Sequence, residues 1–186
     1  MSLVMPDGTI SRHVPGTGEE ARHVLVVIVN NKPGVLNRVA SLMRSRNFNI
    51  ESLTVGHTER PDISRMTLTL RGDDFAVEQV SKQLYRLIDV LKIQDLTAAR
   101  RIEHELALLK VRATNSTRGE IIKIVELYRG QIVDIAQDSV IVEASGTVDE
   151  IDALVALLGG FGIREMVRTG SIVMGRGSGV VELKEG

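Results

Sequence analysis

The segment from Val24 to Val55 constrains this 186-residue chain more than any other. It opens on Val24, Leu25, Val26, Val27, Ile28 and Val29, a mostly β-branched run that predicts a buried strand. The run breaks at Asn30-Asn31-Lys32-Pro33-Gly34. Apolar residues then recur at Val35, Leu36, Val39, Leu42 and Met43, the spacing of one helical face. The helix is expected to end near Arg46-Asn47, with a second strand running from Asn49-Ile50 to about Thr58.

The turn between strand and helix is chemically specific. Proline is tolerated in the first turn of a helix, where its missing N–H has no partner to lose. Glycine allows another group to approach the backbone closely. The amides of Gly34, Val35 and Leu36 are expected in the first helical turn, without intrahelical acceptors and at the positive end of the helix dipole. Such a place suits a carboxylate or phosphate, and Asn31 adds an amide that both donates and accepts. Local chemistry alone favours a plainer reading, a strand-to-helix turn capped by Asn30 or Asn31, since most such turns bind nothing.

Taken in order, the elements define an α+β chain. After the second strand, Glu59-Arg60-Pro61-Asp62 forms a turn. Met66, Leu68 and Leu70 then alternate with Thr67, Thr69 and Arg71, predicting a strand with one dry and one wetter face. Gly72-Asp73-Asp74 ends it, and an aspartate there is placed to cap a helix carrying Val77, Val80, Leu84, Leu87 and Ile88 on one face. Val90 to Leu96 closes the unit as a strand. The order β-α-β-β-α-β is the ferredoxin-like plan, an antiparallel sheet with both helices on one face. The plan then repeats. Glu103 to Ala113 is a strand, Asn115-Ser116-Thr117 supplies a cap, and a helix through Ile121, Ile122, Val125 and Tyr128 stops at Gly130. A hairpin of Ile132–Ala136 and Val140–Ala144 turns at Gln137-Asp138. Thr147 and Glu150 form a capping box ahead of a helix ended by Gly159-Gly160, and Ile163 to Met174 is the final strand. The expected divisions are a disordered leader over 1–22, a first ferredoxin-like domain over 23–98, a second over 99–175 and a mobile tail over 176–186.

Composition narrows the function classes. A net charge of −1 argues against duplex DNA or an anionic membrane as a dominant partner. No apolar run is long enough to span a membrane, and the start carries no basic-then-apolar secretory signal. Cysteine is absent, which excludes thiolate catalysis and zinc–sulfur sites and makes a reducing cytoplasm the simplest home. Stacking surfaces for single-stranded nucleic acid need aromatic strands, yet Phe75, Tyr85 and Tyr128 fall on predicted helices. His13 lies in the leader, and His23, His57 and His104 fall on strands or strand ends with no metal-ligand spacing; they are read as surface or rim residues. Serines occur in no nucleophile-elbow setting. Gly175-Arg176-Gly177-Ser178-Gly179 lacks the lysine and helix of a phosphate loop. No catalytic residue and no metal site is assigned.

Several segments together carry a family resemblance. They are Asn31-Lys32-Pro33-Gly34-Val35-Leu36-Asn37-Arg38-Val39, Phe48-Asn49-Ile50-Glu51-Ser52-Leu53-Thr54-Val55, Ser64-Arg65-Met66-Thr67, Gln83-Leu84 with Leu87-Ile88-Asp89-Val90, Glu105-Leu106-Ala107-Leu108-Leu109-Lys110-Val111 and Arg129-Gly130-Gln131-Ile132-Val133-Asp134. The first part resembles the amino-acid-binding ACT fold. From about His23 to Gly177 the chain resembles the regulatory small subunit of acetolactate (acetohydroxyacid) synthase.

That resemblance implies two tandem ferredoxin-like βαββαβ domains, the N-terminal one an ACT domain. It implies a non-catalytic chain that activates a catalytic large subunit and confers feedback inhibition, typically by valine. The large subunit would hold thiamine diphosphate, a divalent metal (magnesium) and FAD, with no cofactor in this chain. It also implies a homodimer paired through the ACT domains with the effector at their interface. Asn31, Gly34, Val35 and Leu36 would line one wall, and Asn49 and Ile50 of the neighbouring chain the other. Amides after Gly34 would take the effector carboxylate, the asparagines its polar groups, and Ile50 its branched side chain. Lys32-Pro33 differs from what other family members carry before the glycine; a site made of backbone amides tolerates that. The competing reading is a stand-alone amino-acid-sensing ACT module acting on another enzyme or a transcription factor.

Overall fold

The structure is a computed structural model, and it describes residues 21–45 and 49–178. The first unit consists of β1 (Ala21–Asn30), α1 (Val35–Ser45), β2 (Ile50–His57), β3 (Ile63–Gly72), α2 (Asp74–Leu84) and β4 (Val90–Asp95). Its antiparallel sheet has the order β2-β3-β1-β4. The second unit consists of β5 (Arg101–Arg112), α3 (Arg118–Leu127), β6 (Gln131–Ile135), β7 (Ser139–Gly146), α4 (Val148–Gly159), β8 (Ile163–Arg168) and β9 (Ile172–Gly175). Its strands run β6-β7-β5-β8, and β9 pairs with the first residues of β5. Two tandem ferredoxin-like units result.

Alternation decides which face each residue serves. Leu25, Val27 and Val29 of β1 point to the helices and pack with Val35, Val39 and Met43 of α1 and Val77, Val80 and Leu84 of α2. In the second unit Ala107, Leu109 and Val111 of β5 do the same against Ile121 and Val125 of α3 and Ile151, Leu154 and Leu158 of α4. Each large side chain buried this way contributes roughly 1.5–3 kcal/mol over leaving it exposed.

β1 lacks the polar alternation of a one-sided antiparallel strand because both its faces are covered. Val24, Val26 and Ile28 form a separate buried cluster with Ile63, Leu96 and Val173. Val173 comes from β9, so the two-stranded ribbon of β5 and β9 lies on the outer face of the first sheet. Arg22 donates to Glu103 at 2.5 Å and to Ser171 at 3.2 Å, Arg65 donates to the Val173 carbonyl at 2.6 Å, and Thr54 donates to the Thr169 carbonyl at 3.2 Å.

This covering corrects several expectations. Thr67 and Thr69, assigned to the wetter face of β3, are buried. His23, expected at the surface, is 2% exposed for a different reason: it shares the helix-facing side of β1 with Leu25 and Val27, with its Nε2 3.0 Å from the Gly72 carbonyl and 3.9 Å from the Asp74 carboxylate that opens α2. The single final strand is two, β8 and β9, separated at Gly170, whose φ of +78° only glycine adopts freely. β1 begins at Ala21, so Arg22 belongs to the sheet; the rest of the leader and residues 179–186 of the tail lie outside the described residues, as do residues 46–48. Arg176, placed in the tail, donates its amide to the Arg100 carbonyl at 2.9 Å.

Helix ends give further corrections. α2 stops at Leu84, and Ile88, expected on its apolar face, is 91% exposed in the following turns. Thr117 stands at the N-cap of α3, but its hydroxyl accepts the Thr114 amide at 2.9 Å instead of a helix amide. The left-handed residue after α3 is Arg129, with φ +56°, and not Gly130. Gly130 is required for space: a Cβ there would stand 3.0 Å from both the Glu143 carbonyl oxygen and a Val125 methyl. The Thr147–Glu150 capping box is present with both hydrogen bonds.

Candidate functional site

β1 delivers the chain to the turn at Asn30, and α1 carries it away from Val35. The Asn31 amide donates to the Asp62 carbonyl at 2.7 Å, and the Lys32 amide to the Asn30 carbonyl at 3.0 Å. Gly34 has φ +85° and lies outside the helix, so Pro33 and Gly34 form a tight turn before it instead of its first turn. The Arg38 amide donates to the Gly34 carbonyl at 3.0 Å, which starts the helical ladder. Val35 makes only a long amide contact, 3.4 Å to the Lys32 carbonyl, and the Gly34, Leu36 and Asn37 amides reach no acceptor among the described residues. Helix α1 carries no acidic residue in its first turn, so its positive end is uncompensated from within the helix.

Asn31 is not a helix cap. Its Nδ2 donates to the Pro61 carbonyl at 3.0 Å and lies 3.4 Å from Nδ1 of His57. That commits the amide nitrogen to the Pro61 turn and leaves the carbonyl oxygen of this exposed residue without a donor among the described residues. The Asp62 carboxylate faces away to Arg60 at 3.0 Å, and this hydrogen bond holds its carboxyl below the usual range.

The remaining candidates divide by place. The Leu36 side chain is 45% exposed, whereas that of Val35 is buried in the core and leaves only its backbone to the turn. Asn49 is exposed, and Ile50 packs partly against the core of its own unit. Pairing fixes where they lie: Asn30 is opposite Ile63, and His57 opposite Ser64, at one end of the sheet, while His23 and Ile50 both lie opposite Leu70 at the other. Asn30 and Ile50, the neighbours of Asn31 and Asn49, are therefore roughly 23 Å apart along the sheet at about 3.3 Å per residue, and Asn31 and Asn49 lie further out at its two ends. Within one chain the structure brings Asn31, Gly34 and Leu36 together and keeps Asn49 and Ile50 away from them. β2 is the sheet edge between these ends.

Two other features were not read from the sequence. Asp89 is 6% exposed, and its carbonyl and carboxylate both face the turn; its place at the start of an apolar strand is the signal that marks it. A cleft of about 450 Å³ also opens in the second unit, between the end of α3 and the start of α4, with His104, Tyr128, Arg129, Thr147 and Glu150 on its walls. No group of three or more metal-ligating side chains occurs among the described residues. No described helix is long and apolar enough to cross a membrane.

The tandem ferredoxin-like build and the glycine turn with open amides define an ACT-domain protein. Residues 25–92 match the family model of the "AHAS small subunit-like ACT domain", and residues 104–177 match that of the "small subunit of acetolactate synthase". The chain belongs to the acetolactate synthase small-subunit family. A probable acetolactate synthase small subunit of Archaeoglobus fulgidus is 49% identical over 157 residues, 84% of this chain and 98% of that protein. The acetolactate synthase small subunit of Aquifex aeolicus is 46% identical over 166 residues, 89% of this chain and 86% of that protein. The crystal structure of the small subunit from Thermotoga maritima superposes with a TM-score of 0.79 at 38% identity, covering 85% of this chain and 99% of that one.

Proposed function

We propose that this chain activates the catalytic large subunit of acetolactate synthase and makes it sensitive to feedback by a branched-chain amino acid, with valine the favoured effector. The chain itself carries no catalytic role and works in the cytoplasm. Thiamine diphosphate, magnesium and FAD belong to the large subunit. The match of residues 104–177 to the same family supports this reading over a stand-alone sensor.

Two chains pair through their ACT domains, each β2 edge beside its symmetry mate. The observation that carries this is the placement of Asn31 and Asn49 at opposite ends of one sheet. A twofold axis lays opposite ends side by side, so Asn31, Gly34, Val35 and Leu36 of one chain meet Asn49 and Ile50 of its partner. The open amides after Gly34 take the effector carboxylate. The Asn31 carbonyl oxygen, free because its NH2 is held by Pro61, accepts from the ammonium. Leu36 supplies exposed apolar surface for the branched side chain, and Ile50 supplies part of its own. One methylene is worth about 1–3 kcal/mol in such a pocket, so valine, leucine and isoleucine are separated modestly. An effector held between two chains favours the paired arrangement that fits it, and so couples to the large subunit.

Calorimetric titration of the full chain with valine, with leucine, isoleucine and alanine as comparators, tests the reading. Saturable valine binding with alanine much weaker is expected. The Gly34→Asp variant places a carboxylate against the effector's own, so it should lose valine binding and feedback; full sensitivity in that variant would remove the site from this turn.

A further inference from the structure

Asp89 holds both ends of the turn at once. Its backbone carbonyl accepts the Asn30 amide at 2.9 Å, and its Oδ1 accepts from the Asn30 side chain at 3.4 Å. Its Oδ2 accepts from Nη2 of Arg38. Asn30 is the last residue before the turn, and Arg38 lies one helical turn beyond Gly34. A single buried residue just ahead of β4 therefore ties the chain on entry and on exit. It does so beside a register shift between Ile28 and Val29, where β4 bulges against β1.

Arg38 is the part of this clamp that reaches the turn. Helical side chains lean toward the N-terminus, and the Arg38 guanidinium reaches back over Gly34, with Nη1 3.7 Å from where a Cβ of Gly34 would stand. A cation at a helix N-terminus opposes the dipole. Asp89, almost without solvent, offsets that charge and fixes the fork. The Arg38 side chain is half-exposed, so a bare ion pair here contributes little to stability. Its contribution is to geometry.

We propose that Asp89, acting through Arg38 and Asn30, is a positioning residue for effector recognition: it sets the path of residues 31–37, and with it the direction of the open amides. The proposal rests on the effector site described above. It assigns to Asp89 no contact with the ligand.

The test uses the full-length chain, titrated with valine and with valinamide, which keeps the ammonium and side chain but lacks the carboxylate. Asp89→Asn preserves size and one acceptor while releasing Arg38. It should weaken valine at least fivefold and reduce the valine-to-valinamide preference by a similar factor. Arg38→Lys keeps the charge without the fork and should act in the same direction. Because the half-exposed Arg38 site tolerates that change, it carries the test if Asp89→Asn fails to fold. The double variant should be no more than about twofold weaker than the weaker single, as two members of one clamp require. Equal weakening of both ligands would reduce Asp89 to a general structural role and overturn the proposal, as would unaltered valine binding in a folded Asp89→Asn chain. If Gly34→Asp abolishes binding and Asp89→Asn does not, the positioning role alone fails. If Gly34→Asp also binds normally, the site itself is misplaced.

Discussion

Arg65 of β3 donates its guanidinium to the Val173 carbonyl of β9 at 2.6 Å, across the junction of the two units. Arg65 is half-buried, and that burial lowers its pKa, offset in part by the charge of Glu59. The bond joins a strand of the ACT sheet to the strand that covers it. The Val173 side chain, 4% exposed, sits in the cluster with Val24, Val26 and Ile28. The two sheets thus share one buried layer, built from the outer face of the first and the returning ribbon of the second.

The tightest point of this junction is Gly170. A Cβ there would stand 2.9 Å from the Cβ of Ser52, on a backbone with φ of +78°. Gly170→Ala should cost about 1–3 kcal/mol, from backbone strain and from forcing the two units apart. Urea unfolding checks it: the midpoint should fall, and the transition should broaden as the units begin to unfold separately. A wild-type midpoint would show that the junction yields at no cost.

Acid should loosen the same junction. Burial alone would raise the Glu103 carboxyl, but hydrogen bonds from Arg22, Ser171 and Arg101 outweigh it and bring the carboxyl down to about 2, against an ordinary 4.5. A depressed carboxylate stabilises the folded state above its unfolded-state value and loses that contribution as pH falls through its folded-state value. The stability gap between wild type and Glu103→Gln should therefore be full near neutrality, shrink below about pH 4.5 and close toward pH 2. Urea midpoints measured across that range decide it; a gap independent of pH would mean that the glutamate acts only by its shape.

The neighbouring residues Arg129 and Gly130 should respond in opposite senses. Arg129→Gly relieves a left-handed arginine and should leave the fold unchanged or stabilise it by up to about 1 kcal/mol. Gly130→Ala pushes a methyl toward the Glu143 carbonyl and Val125 and should destabilise by about 1–3 kcal/mol. Thermal unfolding of the pair tests this; equal effects would contradict the packing described.

What the sequence discloses follows what is periodic in it. The helical stripes of Val35, Val39 and Met43, and of Ile151, Leu154 and Leu158, place their helices on the sheets as expected. The unbroken run from Val24 to Val29 reports a strand covered on both faces, but not what covers it: β9 lies almost 150 residues further on, and no local pattern encodes that meeting. The burial of Thr69 is hidden for the same reason, and that of His23 because the start of α2 meets it only in the folded chain. At the turn, the open amides were legible from Pro33-Gly34. The diversion of Asn31 to Pro61 and the clamp at Asp89 were not, since both depend on contacts between segments about 30 and 51–59 residues apart. The left-handed residue at Arg129 has no local signature, because the glycine beside it is the usual bearer of that conformation.

The distance between Asn31 and Asn49 along one sheet has a consequence for how such a sensor behaves in dilution. If the site is the one proposed above, a lone chain owns two incomplete halves of a receptor and no complete one, and recognition begins only when two chains associate. Under the proposed pairing, effector and protein concentration enter the same mass-action expression. The response then measures not only how much amino acid is present but how much of the sensor has already found itself.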